Sequence, residues 1–262
     1  MLSRIAESGA KYFSKLDVRW GYNNIRIKEG DEWKAAFRTN RGLFEPLVMY
    51  YGMTNSPGTF QTMMNEIFGD LINRIVVVVY MDDILIFTKT LEEHQQIVNE
   101  VLQILKDNHL YLKPEKCIFE VQEIEFLGYI ISNGSIHMDP VKVKGAMDWP
   151  VPRNVKEVQS FLGFLNFYRH FIEGFSSIAH PLHQLTRKDA LWKWDDKIEA
   201  TFNELKQQIS SSPILVNPNT AQPMHIEVDS SGFAMGAVSS QLSDDDKWHP
   251  IAYYSKSRLY LD

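Results

Sequence analysis

The sequence is poor in cysteine, with a single one, Cys117, among 262 residues. One thiol excludes an internal disulfide framework and any multi-cysteine zinc site. With no local basic partner, Cys117 reads as a small buried hydrophobe rather than a nucleophile. Long apolar runs are missing as well. The longest purely aliphatic stretch, Ile75–Val79, is far too short to span a bilayer. The opening residues, MLSRIAESGAKYF, lack the apolar core of a signal peptide. The expectation is a soluble, intracellular protein without a membrane partner. Positive charge is not in excess either, since 27 Lys plus Arg against 33 Asp plus Glu gives −6. Bulk charge therefore gives nucleic-acid binding no support, although a local basic patch can supply it. What remains is globular: 44% hydrophobic and 23% charged residues, too apolar for wholesale disorder.

The charge is uneven. Residues 1–134 carry a net −4, residues 139–192 a net +2 and residues 193–262 a net −4. These steps coincide with turn signals and suggest three units, the third beginning near Pro223. The acidic triplet Asp244–Asp246 reads as a solvated turn rather than a metal site.

Unit one mixes strands and helices. Tyr12–Leu16 is a strand candidate ending at Asp17, and Asn24–Ile27 and Lys34–Thr39 are two more. The segment SPGTFQTMMNEIFGDLI is expected to form one helix, capped by Ser56 with Pro57 in its first turn. Phe60, Met64, Ile67 and Leu71 make its apolar stripe. Arg74–Tyr80 and Ile84–Thr88 read as a hairpin. A second helix runs from Leu91 to about Asn108, with Thr90 and Glu93 as a capping box. Two further strands, Ile118–Val121 and Ile124–Ile131, precede the Asn133-Gly134 turn. Unit two is helical, with Asp139, Asn154 and Asp195 as caps. Unit three holds three strand candidates, MHIEVDSSG, FAMGAVSSQL and PIAYYSKS, leaving a sheet edge to be covered.

The most informative segment is RIVVVVYMDDILIFT. Two adjacent carboxylates, Asp82 and Asp83, follow a strongly apolar strand, where a bare buried charge is very expensive. Two readings are open: a solvated turn, or a site for a divalent cation. Mg²⁺ prefers carboxylate oxygens together with phosphate and water. Asp17, at the end of FSKLD, is either a turn acid or a third member of that cluster, if its strand lies beside the hairpin.

The ordered blocks FSKLD, RWGY, FRTNRGLFEPLVM, YGMTNSPGTFQ, VVYMDDILIF, KPEKCIF, FLGYIIS and DPVKVKGAMDWPVP resemble the reverse transcriptases of gypsy-lineage long-terminal-repeat retrotransposons, relatives of the retroviral enzymes. The resemblance covers nearly the whole chain. It implies an α+β fold with a polymerase palm and partial fingers over 1–134 and a helical thumb or connection over 135–218. An incomplete ribonuclease H-like sheet, the amino-terminal part of that domain, follows over 219–262. It also implies polymerase segments before Met1 and ribonuclease H segments after Asp262.

The implied activity is RNA-directed DNA polymerisation. A primer 3′-hydroxyl would be extended with deoxynucleoside triphosphates by two-metal phosphoryl transfer. The cofactor would be two Mg²⁺ ions, with Mn²⁺ as a substitute. Asp17, Asp82 and Asp83 match the catalytic acids, and the backbone carbonyl of Val18 adds a metal ligand. Tyr22 matches the wall of the sugar pocket, whose flat ring would clash with a ribose 2′-hydroxyl. Tyr51 and Gly52 would sit near the incoming base pair and Asn55 near the template. Tyr80 and Met81 would lie near the primer end, and Phe126, Leu127, Gly128 and Tyr129 match the hairpin that grips the primer.

Lys142, Lys144, Arg153, Lys156 and Arg169 are candidate phosphate contacts on the basic unit. Asp229 matches the first metal aspartate of the ribonuclease H domain. Alone it cannot build a two-metal clamp, so no ribonuclease H activity is expected. The implied partners are an RNA or DNA template with its primer, deoxynucleoside triphosphates and the remainder of a polyprotein. A second reading, from another class, is a non-catalytic nucleic-acid-binding or structural remnant of such a polyprotein. A third is a folded relic that neither binds nor incorporates.

Overall fold

A computed structural model describes residues 4–5, 8–133, 135–211, 215–216, 218–219, 221–232, 234–243 and 245–257. Gly134 and Asp244, each placed in a turn above, lie outside the described residues. The chain divides into two compact units, Met1–Phe126 and Leu127–Asp262.

The first unit is built on an antiparallel sheet. Strand β1 (Tyr12–Asp17) opens it, and a small hairpin of β2 (Phe37–Thr39) and β3 (Gly42–Phe44) comes next. Helices α1 (Ser56–Ile67) and α2 (Gly69–Asn73) precede β4 (Val77–Tyr80) and β5 (Asp83–Thr88). Helix α3 (Leu91–Asp107), β6 (Ile118–Val121) and β7 (Glu123–Phe126) complete the unit. The main sheet has the order β4-β5-β1-β6, so β1 is a central strand. Alternation sorts the two faces. Leu16, Val77, Val79, Ile84 and Ile86 join Phe60, Met64 and Leu71 of the α1–α2 segment and Ile97, Val101 and Leu105 of α3 in one core. Asp17 and Asp83 have the opposite parity and leave the sheet on the face away from those helices.

Thr90 caps α3 as expected, its hydroxyl accepting from Glu93 N–H at 3.3 Å. The single helix expected from SPGTFQTMMNEIFGDLI is two helices. It breaks at fully buried Phe68, which leaves helical geometry just before Gly69, a weak helix former. Its cap position is Asn55, while the Ser56 hydroxyl donates to the Tyr50 carbonyl at 3.0 Å. The expected strand Asn24–Ile27 is a 3₁₀ turn, Gly21–Asn24, followed by one bridge between Arg26 and Val48. Lys34 and Ala35 also lie in a 3₁₀ turn, so the strand there starts at Phe37.

The second unit starts with the hairpin β8 (Tyr129–Ser132) and β9 (Ser135–Met138). Helices α4 (Pro140–Met147), α5 (Val155–Phe167), α6 (Phe175–Ile178), α7 (His180–Leu185) and α8 (Asp196–Ser210) follow. Asp139, Asn154 and Asp195 cap α4, α5 and α8, as their side chains suggest. Strand β10 (Leu215–Val216) pairs with β9. Strands β11 (His225–Ser230), β12 (Ala234–Leu242) and β13 (Trp248–Ser257) form a separate antiparallel sheet, with every residue of the edge strand β11 exposed. Arg169 is not a free phosphate contact. Its guanidinium donates to Asn166 Oδ1, the Ser176 hydroxyl and the Ser255 carbonyl. Among the described residues no helix is long and apolar enough to cross a membrane.

One buried polar group ties three elements of the first sheet's core together. His94 on α3 is fully buried, with Nε2 2.7 Å from Ser14 Oγ and Nδ1 3.0 Å from Thr88 Oγ1. The Thr88 hydroxyl donates to the Thr90 carbonyl, so Nδ1 carries the proton and Nε2 accepts from Ser14. Burial lowers the His94 pKa, against the weaker pull of Glu120 and Glu93. The unfolded chain, with an ordinary histidine near 6.5, therefore takes up the proton first. Stability is full above that pH and falls as the pH drops below it. Urea unfolding at pH 5.5 is expected to show a loss of about 1 kcal/mol relative to pH 7.5. That component should disappear in a His94→Gln protein, and an unchanged pH slope would contradict the assignment.

Candidate active site

The site grows from the β4–β5 hairpin. Tyr80 and Asp83 form its last pair, leaving Met81 and Asp82 as a two-residue bend. Met81 takes the left-handed conformation, φ 53°, as the first bend residue of a tight hairpin requires. A methionine there is strained by roughly 1 kcal/mol or more, and Gln61 on α1 offsets it. The Gln61 Oε1 accepts Met81 N–H at 2.7 Å, and its Nε2 donates to the Val79 carbonyl at 3.2 Å. Sequence reasoning missed Gln61. Its only signal is one amide beside the apolar stripe of α1.

Strand β1 supplies the third acid. Asp17 directly opposes Asp83 in the antiparallel register, and Val18 N–H donates to the Asp82 carbonyl at 2.8 Å. Opposed residues of such a pair have Cα atoms about 4.5–5.5 Å apart. Asp17 is only 9% exposed and Val18 is fully buried. The expected adjacency of the three acid-bearing segments is therefore met at the backbone.

The side chains are arranged differently. Asp17 Oδ1 accepts from Lys113 Nζ at 2.5 Å, and its Oδ2 lies 3.4 Å from Lys116 Nζ. The hydrogen bond to Asp17 raises the Lys113 pKa, and the charges of Asp17, Asp82 and Asp83 add to the effect. Burial pushes the Asp83 carboxyl up; Lys15 works against that, while Asp82, Asp17 and Glu125 reinforce it. Among the described residues no group of three or more His, Cys, Asp or Glu side chains is gathered to hold a metal ion. The donor set still suits an oxygen-seeking divalent cation, with three carboxylates and a neighbouring backbone carbonyl on one strand pair. Of its carboxylates, that of Asp17 is held by two lysines. The sequence block KPEKCIF contains both lysines, but nothing local in it points to a partner on β1.

Tyr22 borders this cluster. Its hydroxyl is 3.5 Å from Met81 Sδ, and its ring stacks on Tyr51 at 6.3 Å between centroids and meets Phe60 edge-on at 5.8 Å. Burial, then the Asp82 charge, raises the Tyr22 pKa. Gly21 allows this packing, because a Cβ there would come within 3.1 Å of the Phe60 ring. Tyr51 is 89% exposed and Gly52 has φ 105°, a conformation that favours glycine. Asn55 is exposed at the start of α1, and Tyr80 is partly exposed beside the bend.

The FLGY segment is mostly packing. Phe126 is fully buried in the first unit. In the second unit Tyr129 is buried between Phe167 and Phe171. Leu127 and Gly128 are half-buried with positive φ, and a Cβ on Gly128 would lie 2.8 Å from the Tyr168 hydroxyl oxygen. Asp229 sits on exposed β11 opposite Gly236, its Oδ1 accepting Ser230 N–H at 2.8 Å.

Comparisons with known proteins agree with this fold. The reverse transcriptase (RNA-dependent DNA polymerase) family matches residues 3–131, and the RNase H-like domain found in reverse transcriptase matches residues 194–259. A foamy viral protease-reverse transcriptase solved with an RNA/DNA hybrid superposes with a TM-score of 0.81 at 25% identity, over 98% of this chain and 34% of that one. A second foamy viral structure, solved with double-stranded DNA, gives 0.79 at 25% identity, over 95% of this chain and 43% of that one. The fold and the acid-bearing strand pair thus define a reverse-transcriptase domain with an RNase H-like segment.

The transposon Tf2-3 and Tf2-4 polyproteins of Schizosaccharomyces pombe are each 41% identical over 247 residues, 94% of this chain. The Tf2-7 polyprotein is 40% identical over the same length. The chain spans 18% of the length of these curated relatives. It belongs to the reverse-transcriptase family of gypsy-like long-terminal-repeat retrotransposon polyproteins.

Proposed function

We propose that the chain extends a primer 3′-hydroxyl along an RNA or DNA template, using deoxynucleoside triphosphates. The observation that carries this reading is the register that sets Asp17 opposite Asp83 and beside the Asp82 bend. Asp17, Asp82 and Asp83, with the carbonyl of Val18, would hold two Mg²⁺ ions, or Mn²⁺ in their place. When bound, those cations neutralise charge on the reacting phosphate and favour the ionised hydroxyl.

The remaining work falls to the chain's own groups. Gln61 pins the bend, so Asp82 is presented from a fixed backbone. The Tyr22 ring, braced by Phe60 and Tyr51, forms a wall that selects a deoxyribose by excluding a 2′-hydroxyl. Exposed Tyr51 and Gly52 are the surface offered to the incoming base pair, with Asn55 toward the template and Tyr80 and Met81 toward the primer end. Because Phe126 and Tyr129 are buried, primer contact in that segment falls to Leu127 and Gly128.

In this reading residues 1–134 act as palm with partial fingers and 135–218 as thumb or connection. Residues 219–262 are the start of a ribonuclease H-like domain. The foamy viral relatives solved with an RNA/DNA hybrid and with double-stranded DNA support a nucleic-acid duplex as partner. The rest of the polyprotein is a further partner.

The lysine-held Asp17 favours a second reading, a non-catalytic module that binds nucleic acid. Primer extension on a primed RNA template with Mg²⁺ separates the two. Template-directed incorporation is expected, whereas duplex binding without incorporation would support the second reading.

A further inference from the structure

We propose that Lys113, seconded by Lys116, is a built-in counter-cation for Asp17 that a divalent ion must displace before Asp17 can act as its ligand. The inference rests on the metal-site reading above and goes beyond it, because it assigns a positioning role to a turn outside the acid cluster.

The argument is geometric. Both oxygens of the Asp17 carboxylate are engaged, Oδ1 by Lys113 at 2.5 Å and Oδ2 by Lys116 at 3.4 Å. An incoming cation therefore finds neither oxygen free of an ammonium. The two lysines rise from one braced turn. Arg19 N–H donates to the Tyr111 carbonyl at 2.7 Å and Lys113 N–H to the Asp17 carbonyl at 2.9 Å, so the chain before the turn runs alongside Asp17. Pro114 opens the 3₁₀ turn Pro114–Lys116, and Lys116 N–H closes it onto the Lys113 carbonyl at 3.0 Å. The Cys117 thiol donates to that same carbonyl at 3.2 Å.

The electrostatics point the same way. The strand register brings three acid-bearing positions onto one strand pair, where like charges disfavour one another. Lys15, on the same sheet face, is partly spent on Glu125, donating to its carbonyl at 3.1 Å. Lys113 is the ammonium directly bonded to a member of the cluster. A surface ion pair of ordinary kind contributes little and could sit anywhere. This one occupies the atoms that the proposed chemistry needs, so lysine and metal compete for a single carboxylate.

Competition predicts that removing the ammonium tightens metal binding. The test is a Mn²⁺ titration of the full chain, followed by the electron paramagnetic resonance signal of the free ion. Lys113→Met is expected to bind Mn²⁺ roughly tenfold more tightly than the parent chain. Lys116→Met, which removes the longer contact, should tighten it about threefold. Lys106→Met, on the exposed end of α3, makes the same change in net charge and should leave the affinity unchanged. Should Lys113→Met fail to fold, Lys116→Met carries the test.

Affinities of Lys113→Met and Lys116→Met equal to that of Lys106→Met would overturn the counter-cation role. Asp17→Asn separates that failure from failure of the site itself. If it lowers Mn²⁺ affinity while the lysine variants change nothing, only the counter-cation is wrong. If it binds Mn²⁺ as the parent chain does, the metal-site reading falls and the inference falls with it.

Discussion

An Asp82→Asn protein is expected to extend a primer at a rate lower by on the order of a thousandfold, the scale seen when one electrostatic contact to a transition state is removed. The amide keeps the shape of the carboxylate and loses its charge. Asp82 lies in a two-residue bend whose backbone is held by Gln61 and by Val18, so the substitution leaves the fold alone. It also relieves repulsion between like charges. The unfolding midpoint should therefore stay level or rise while the rate collapses, which distinguishes lost chemistry from lost structure. Asp17→Asn should match it in rate. It also frees Lys113 and Lys116, leaving two ammoniums without their carboxylate partner. Steady-state extension assays on a primed RNA template check both. Unchanged extension in either variant would remove that residue from the centre.

Phe60→Ala is expected to give the largest loss of stability, about 3–5 kcal/mol, from lost burial together with the cavity left behind. For a domain of this size that lowers the unfolding midpoint by roughly 10 °C or more. Phe60 is fully buried on α1, has Gly21 directly against its ring and meets Tyr22 edge-on. Its removal therefore reaches the site as well, because the Tyr22 ring loses the surface that orients it. Phe60→Leu keeps most of the volume and should cost about 1.5 kcal/mol or less. Urea unfolding of the two variants tests this. A loss below 1 kcal/mol for Phe60→Ala would mean that the α1 face repacks around the gap.

The sequence made the local features legible. Thr90, Asn154 and Asp195 cap the helices their side chains suggest, because a cap is decided within three residues. The apolar stripe of α3 and the MDD hairpin were readable for the same reason. The adjacency of Asp17 to the bend was foreseen, but its partnership with Lys113 was not. Asp17 and Lys113 are separated by 96 positions, and no periodicity in KPEK points to β1. The placement of β1 between β5 and β6 is likewise set by packing across the sheet, not by propensity. The break at Phe68 escaped because the apolar stripe runs on to Leu71, so the pattern looks continuous while the backbone turns. Asn24–Ile27 carries strand-forming residues yet makes one bridge, since Arg26 pairs with Val48 alone.

The most direct measurement is the Mg²⁺ dependence of the unfolding midpoint in the parent chain, Asp17→Asn and Asp82→Asn. Binding to the folded chain alone stabilises it by about 2.7 kcal/mol at a hundredfold excess over the dissociation constant. If acids from β1 and the β4–β5 bend share their cations, the parent midpoint rises with Mg²⁺ and each single variant loses that rise. A parent chain indifferent to Mg²⁺, or a variant that keeps the full shift, would contradict a shared centre.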